Sequence, residues 1–240
     1  MTQINAHGQP VGDEVVGWSP RPWPESARLE GRYVRLAPLT SASYADLYAA
    51  TCGPEDERLW TYRPAERPTS LAGLWMHLAA AVDSATELPY AIVPAEGPRA
   101  GKATGLASYL RIEPAHGSIE IGGILFGRDL QRTRAATEAI HLMMAYAFDD
   151  LGYRRIEWKC DSLNEPSRRA ARRLGFRHEG RFRSHLVLKG RNRDTDWFSV
   201  TAQEWPGVCA AHRRWLDPTN FDAEDRQRSS LSGLTAQERG

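Results

Sequence analysis

The chain has 240 residues, with 31 Lys and Arg against 30 Asp and Glu, for a formal net charge of +1. That balance gives no overall pull toward nucleic acid or a membrane surface, so any basic patch must be local. Hydrophobic residues make up 41% and charged residues 25%, the composition of a globular protein with a full core. Cys52, Cys160 and Cys209 are odd in number and widely spaced, with no sign of a disulfide framework or a metal knuckle, which predicts a reducing, cytoplasmic setting. Residues 1–24 lack the apolar core of a signal peptide, and no stretch approaches the ~20 apolar residues of a membrane span.

Residues 1–28 read as an arm, with Trp18 and Trp23 set among Pro20, Pro22 and Pro24. Regular structure is not expected there, but two tryptophans should pack on something. Residues 33–36 form a short strand. Thr40 or Ser41 can cap a helix reaching about Ala50, and Ser70 can cap another reaching about Val82. The intervening loop is polar and proline-bearing, with Trp60 and Tyr62 embedded in it. Such aromatics either contact a ligand or pack against the core.

Residues 89–93 and 103–112 read as consecutive strands, and 119–126 as the next, interrupted by Gly122-Gly123. Paired glycines inside a strand predict a bulge or a close backbone approach. Ile140, Met143, Met144, Ala147, Phe148 and Leu151 then follow the spacing of one buried helix face. A helix start offers unpaired N–H groups and a positive dipole end, and Arg128, Arg132 and Arg134 surround this one. A phosphate-bearing cofactor is one reading; a basic loop meeting an ordinary core helix is the other. The helix leads to an alternating strand at 155–161, so the two strands should pair in parallel through a right-handed crossover.

Asn164 can cap a short helix ending at Leu174 with Gly175 as its stop. Strands at 176–188 and 195–201 flank a hairpin, a helix spans 206–216, and the chain beyond Asp225 is expected to be disordered. The pattern predicts one α/β domain with a mixed sheet at 29–202, preceded by the arm at 1–28. A C-terminal helix and flexible tail would occupy 203–240.

A linked set of motifs now adds a family. Glu120-Ile121-Gly122 lies on a strand, and Gln131-x-x-Arg134-x-Ala136 opens the following helix with Thr137-Glu138-Ala139 behind it. Asn164-x-x-Ser167 then precedes Leu174-Gly175-Phe176 and Glu179-Gly180. In this order, from about residue 28 to 201, the chain resembles the GNAT superfamily of acyl-CoA N-acyltransferases, particularly its RimJ/RimL-like branch.

The resemblance implies a GNAT-like fold and transfer of an acetyl group from acetyl-CoA, a co-substrate, to a primary amine by direct attack, with no metal. The acceptor would be a protein N-terminus or a small-molecule amine; nucleic-acid and membrane partners are not implied, and a homodimer is left open. Backbone amides of Gln131, Arg132, Thr133, Arg134, Ala135 and Ala136 would cradle the diphosphate. The pantetheine arm would lie between splayed strands at 124–126 and 158–161, with Asn164 as a contact. An N–H near Ile124 or Leu125, before Phe126, would face the acyl oxygen. Glu120 would be the general base through a water, from a half-buried cleft. Ser167 would be the acid, because Ala171 stands where many relatives carry a tyrosine. Trp60 and Tyr62, with Arg63 and Arg67, would select the acceptor.

Each assignment has a plainer alternative. Glu120 sits one residue further from Gln131 than in many relatives, so it either enters the cleft or faces solvent. Ser167 and Asn164 also suit helix capping. Arg134 replaces a usual glycine, either adding a phosphate contact or distorting the loop. The arginines at 168, 169, 172 and 173 form either a solvated face or an anion site. A non-catalytic acyl-CoA-binding module is the alternative function. A nucleic-acid-binding protein conflicts with the near-zero net charge.

Overall fold

The computed structural model describes residues 3–238. Eight strands there form one sheet, in the order β3 (Leu29–Glu30), β4 (Val34–Pro38), β5 (Leu88–Pro94), β6 (Gly105–Glu113), β7 (Ser118–Phe126), β8 (Arg155–Asp161), β10 (Arg191–Thr201) and β9 (Arg177–Leu188). Neighbours pair antiparallel except β7 and β8, which run parallel. The sheet is therefore mixed, with the predicted crossover at its centre. Two further short strands, β1 (Gln3–Ile4) and β2 (Pro10–Val11), make a separate hairpin in the arm.

Among the described residues five helices cover the sheet. One face carries α1 (Tyr44–Thr51) and α2 (Leu71–Val82), whose Tyr44, Leu47, Leu74 and Leu78 pack with Ala91, Val93, Leu106 and Leu125. The other face carries α3 (Arg134–Ala145), α4 (Glu165–Arg173) and α5 (Trp205–Leu216) over Tyr90, Tyr109, Ile119, Ile121, Ile156 and Trp158. Ser70 caps α2 as predicted, its side chain accepting from Gly73 N. Thr40 caps nothing with its side chain; a 3₁₀ turn at Ser41–Ser43 precedes α1 instead. The helix expected to run to Leu151 changes pitch at a π turn, Tyr146–Asp150, closed by Leu151 N to Tyr146 O.

Two buried carboxylates stitch the layers. Glu138 on α3 accepts from the backbone N–H of Arg32, Tyr33 and Val34 at 3.0, 2.6 and 3.0 Å, tying the helix to the β3–β4 turn. Asp196 on β10 meets Arg181 Nε at 2.6 Å and Arg168 Nε at 2.8 Å, tying α4 to the sheet edge. A cation on either side holds the Asp196 carboxyl below the usual range, the Arg181 hydrogen bonds contributing most.

The arm is anchored through Trp18 as expected of its tryptophans, and the C-terminal segment is better ordered than the sequence predicts. In the arm, Trp18 donates to Ala115 O at 3.1 Å and Arg21 N bonds Pro114 O at 3.0 Å. Beyond Asp225, where disorder was expected, α6 (Leu231–Gln237) is capped by Ser230 and buries Leu231 and Leu234 in the main core. The connection is polar because it satisfies itself: Asn220 bonds both Trp215 O and Ser229 O at 3.1 Å, and Trp215 Nε1 bonds Gln227 at 2.7 Å. Among the described residues no helix is long and apolar enough to cross a membrane.

Candidate active site

The centre of the sheet opens because β7 and β8 stop pairing. Their parallel ladder covers only Ser118↔Arg155, Ile119↔Ile156 and Glu120↔Glu157. Beyond it, residues 121–126 stay with β6 on one side and 158–161 with β10 on the other. The cause is local. Between the Ser108↔Gly122 and Leu106↔Leu125 pairs the register slips, and Gly123 takes φ +61°. That left-handed conformation suits glycine, and it bends β7 away from β8. The expected crevice between 124–126 and 158–161 is thus a bulge-driven splay.

The loop from β7 to α3 lies at one end of this crevice. Gly127 begins it in close quarters, since a Cβ there would meet Ala50 O at 2.7 Å and Thr104 O at 2.8 Å. Gln131 bonds back to Phe126 O at 2.9 Å, and Arg132 adopts φ +64°. Thr133 caps α3, its Oγ1 accepting from Ala136 N at 3.1 Å and donating to Leu130 O at 2.7 Å. The amides of Gln131 and Thr133 bond Gly127 O and Leu130 O. Among the described residues the N–H groups of Arg132, Arg134 and Ala135 have no protein acceptor. This fits a phosphate with three donors where the sequence suggested six.

The arginines around the loop are mostly committed elsewhere. Arg128 pairs with Asp56 at 2.8 Å and Glu55 at 2.7 Å. Arg134 meets Asp225 at 2.8 Å and Glu96 at 3.4 Å, with its guanidinium over the Tyr33 and Phe221 rings at 4.7 and 4.8 Å. Through these contacts Arg134 straps the C-terminal segment to the start of α3. The α4 arginines are likewise occupied: Arg168 by Glu165 and Asp196, Arg172 over Phe198, Arg173 by Thr137 and the Trp215 ring.

Glu120 faces inward on the α1/α2 side of the sheet, opposite in sense to Ile119 and Ile121. It is buried, and its Oε2 lies 2.6 Å from Arg111 Nη1 and 3.1 Å from Lys159 Nζ. The Lys159 side chain is 5% exposed, also meets Glu157 at 2.8 Å, and sits 3.8 Å above the Trp197 ring. The solvent-facing alternative is overturned, and so is the half-buried cleft. Any water or amine using this carboxylate must share it with two cations. Arg111 itself holds φ +43° in an irregular stretch of β6, a strained conformation at the mouth of the network.

Across the crevice, Asn164 caps α4 by accepting from Ser167 N at 3.2 Å. Ser167 Oγ accepts from Trp158 Nε1 at 3.0 Å, and the same hydroxyl bonds the Cys160 sulfur. Cys160 lies beside it, and burial pushes that thiol up to about 11. Ala171, where the tyrosine would stand, is fully buried.

The loop between α1 and α2 contains a 3₁₀ segment, Pro54–Trp60, and does not present Trp60 to a ligand. Trp60 is fully buried, bonding Thr51 O at 2.8 Å, so the packing alternative holds. Tyr62 remains partly open and donates to Leu163 O at 3.0 Å, joining the loop to the β8–α4 turn. Arg63 donates from Nη1 to Gly123 O at 2.9 Å and Ile124 O at 3.0 Å. Arg67 braces the loop itself through Glu57 and Cys52 O. Lys159, Arg111 and the role of Arg63 were not read from the sequence. Lys159 left one signal: charges at 155, 157 and 159 alternate with core residues and so share one face.

With this geometry, residues 34–177 match the family model described as the acetyltransferase (GNAT) domain. The chain belongs to the GNAT acetyltransferase family. A solved GCN5-related N-acetyltransferase from Brucella melitensis is 45% identical, with 92% of this chain and 99% of that chain covered and a TM-score of 0.88. The uncharacterized N-acetyltransferase p20 of Bacillus licheniformis is 34% identical over 43% of this chain and 57% of its own length. YdaF of Bacillus subtilis (strain 168), provisionally named a ribosomal N-acetyltransferase, is 28% identical over 45% of this chain and 58% of its own. The chain spans little more than half the length of these two relatives.

Proposed function

We propose that this protein transfers an acetyl group from acetyl-CoA to a primary amine. The observation that carries the reading is the early parting of β7 and β8 beside a helix start with three spare amides. Strand edges left unpaired can receive the pantetheine amides as an added strand would, and the amides of Arg132, Arg134 and Ala135 suit the diphosphate. An N–H near Ile124 or Leu125 would meet the acyl oxygen. The amine nitrogen attacks the carbonyl carbon, the C–N bond forms and the C–S bond breaks. Glu120 would take the amine proton through a water, and Ser167 would give a proton to the departing thiolate.

The RimJ/RimL-like resemblance, and the name of the Bacillus subtilis relative, favour a protein or peptide N-terminus as acceptor. The mouth beside Tyr62 is where we place acceptor selection. The second reading, a non-catalytic acyl-CoA-binding module, is favoured by Ala171 in place of a tyrosine acid and by the cations on Glu120. Calorimetric titration with acetyl-CoA, followed by a thiol-release assay over a panel of peptide and small amines, separates the two. Binding with release for some amine supports transfer. Binding without release for any amine supports the module, and no heat at millimolar acetyl-CoA removes both.

A further inference from the structure

An ion pair crosses the crevice at its closed end. The β7–β8 ladder stops at Glu120↔Glu157, and Gly122 and Lys159 come two residues later, where the strands have parted. Residues 120, 122, 157 and 159 all face the α1/α2 side, because side chains alternate along a strand. From β8, Lys159 reaches back over the gap to Glu120 Oε2 at 3.1 Å. Glu157, on the same strand, holds the ammonium at 2.8 Å. Trp197, opposite Lys159 in the β8–β10 ladder, lies under it at 3.8 Å. Both side chains of the pair are nearly sealed from solvent, at 5% exposure for Lys159 and 4% for Glu120.

The two oxygens of Glu120 are therefore unlike. Oε2 takes both cations, Lys159 from β8 and Arg111 from β6 at 2.6 Å. Oε1 accepts no hydrogen bond among the described residues. It leans forward along β7 instead, since a Cβ on Gly122 would stand 2.7 Å from it. The carboxylate thus projects toward the splayed part of the crevice, over a residue whose missing side chain leaves it room. The two cations pull it in different directions. Arg111 belongs to the β6 side with its side chain 55% exposed, whereas Lys159 stands on the opposite lip of the gap.

We propose that Lys159 is a positioning residue: by tying Oε2 across the crevice, it fixes Oε1 of Glu120 as the atom that receives the amine proton. The inference rests on the acyl-transfer reading above. As the C–N bond forms and the C–S bond breaks, the proton leaves the nitrogen through a water to Oε1. The contacts to Oε2 stay unbroken throughout. A carboxylate held by one oxygen needs no reorientation when the proton arrives. Without Lys159 the carboxylate answers to Arg111 alone and swings toward β6, away from the reacting nitrogen.

Crystal structures of the wild type and Lys159→Met test the geometry, and a double-mutant cycle tests the role. In Lys159→Met the Glu120 carboxylate is expected to leave Gly122 and turn to Arg111. With an amine that supports thiol release, kcat should fall about 10- to 100-fold while the KM for acetyl-CoA holds, the cost of a group misplaced by about an ångström. Lys159→Arg, which keeps a cation on that lip, should recover part of the rate. Lys159→Met added to Glu120→Gln should cost nothing further, because a positioning residue acts only through its partner; a purely structural role makes the losses multiply. Should Lys159→Met fail to fold, Gly122→Ala crowds Oε1 with every charge intact and should give the same pattern. An unmoved carboxylate in the variant, or multiplying losses in the cycle, overturns the proposal. A wild type that releases no thiol with any amine overturns the acyl-transfer reading itself, a result separate from where the carboxylate sits.

Discussion

The Trp158 indole N–H meets the Ser167 hydroxyl at 3.0 Å, joining the strand on one side of the crevice to the first turn of α4. The hydroxyl also bonds the Cys160 sulfur, so it must leave that partner to protonate a departing thiolate. Ser167→Ala should lower kcat about 10- to 100-fold, at or below the low end for a general acid, because a thiolate leaves readily. Acetyl-CoA affinity should hold, and the loss should shrink with thioesters of more acidic thiols. A thiol-release assay over such a series checks it, and equal losses across the series would remove Ser167 from proton transfer. Stability should also fall by about 1–3 kcal/mol, since the indole N–H is stranded.

Arg134→Ala should loosen the C-terminal segment. It removes the Asp225 ion pair and two ring contacts worth about 0.5–1 kcal/mol each. Hydrogen exchange should rise from residue 218 to α6 while α1 and α2 stay protected. Asp225→Ala should do the same more weakly. Uniform exchange across the molecule would contradict the strap.

Gly127→Ala should weaken acetyl-CoA binding with little effect elsewhere. The added methyl meets Ala50 O and Thr104 O below contact distance, so the loop carrying the spare amides must shift. Calorimetry is the readout, and an unchanged affinity would detach the loop from the cofactor.

The protein should lose stability on acidification below about pH 6.5. Burial drives His212 down to about 3 and His141 to about 4, from an ordinary value of 6.5, and their rings lie 5.3 Å apart. Between those limits the unfolded chain binds more protons than the folded one, so stability is full above the unfolded value and falls as pH drops. At about 1.4 kcal/mol per pKa unit, the pair supplies a loss of several kcal/mol. Urea melts from pH 7 to 4 test this, and His212→Gln should flatten the slope.

Much of the architecture was legible because periodicity and caps encode it locally. Ser70, Thr133 and Asn164 each sit where a cap was expected or needed, and Gly122-Gly123 marked the bulge from which the crevice follows. Arg63 was not legible as a clamp, because a loop arginine bonding main-chain carbonyls leaves no pattern at its own position. Trp60 misled for a related reason: an aromatic among prolines looks available until its neighbours in space are known. The C-terminal segment was read as disordered because its order comes from Asn220, Gln227 and Asp225 finding partners far along the chain.

The bulge has a further consequence for how the chain folds. Two neighbouring parallel strands with free edges ought to zip together, adding rungs beyond the three they share. Gly123 obstructs that closure, so the native state keeps a built-in gap that a straighter β7 would seal. Substituting an L-residue that resists the left-handed conformation would therefore favour a zipped, better-paired sheet with no room for a third strand.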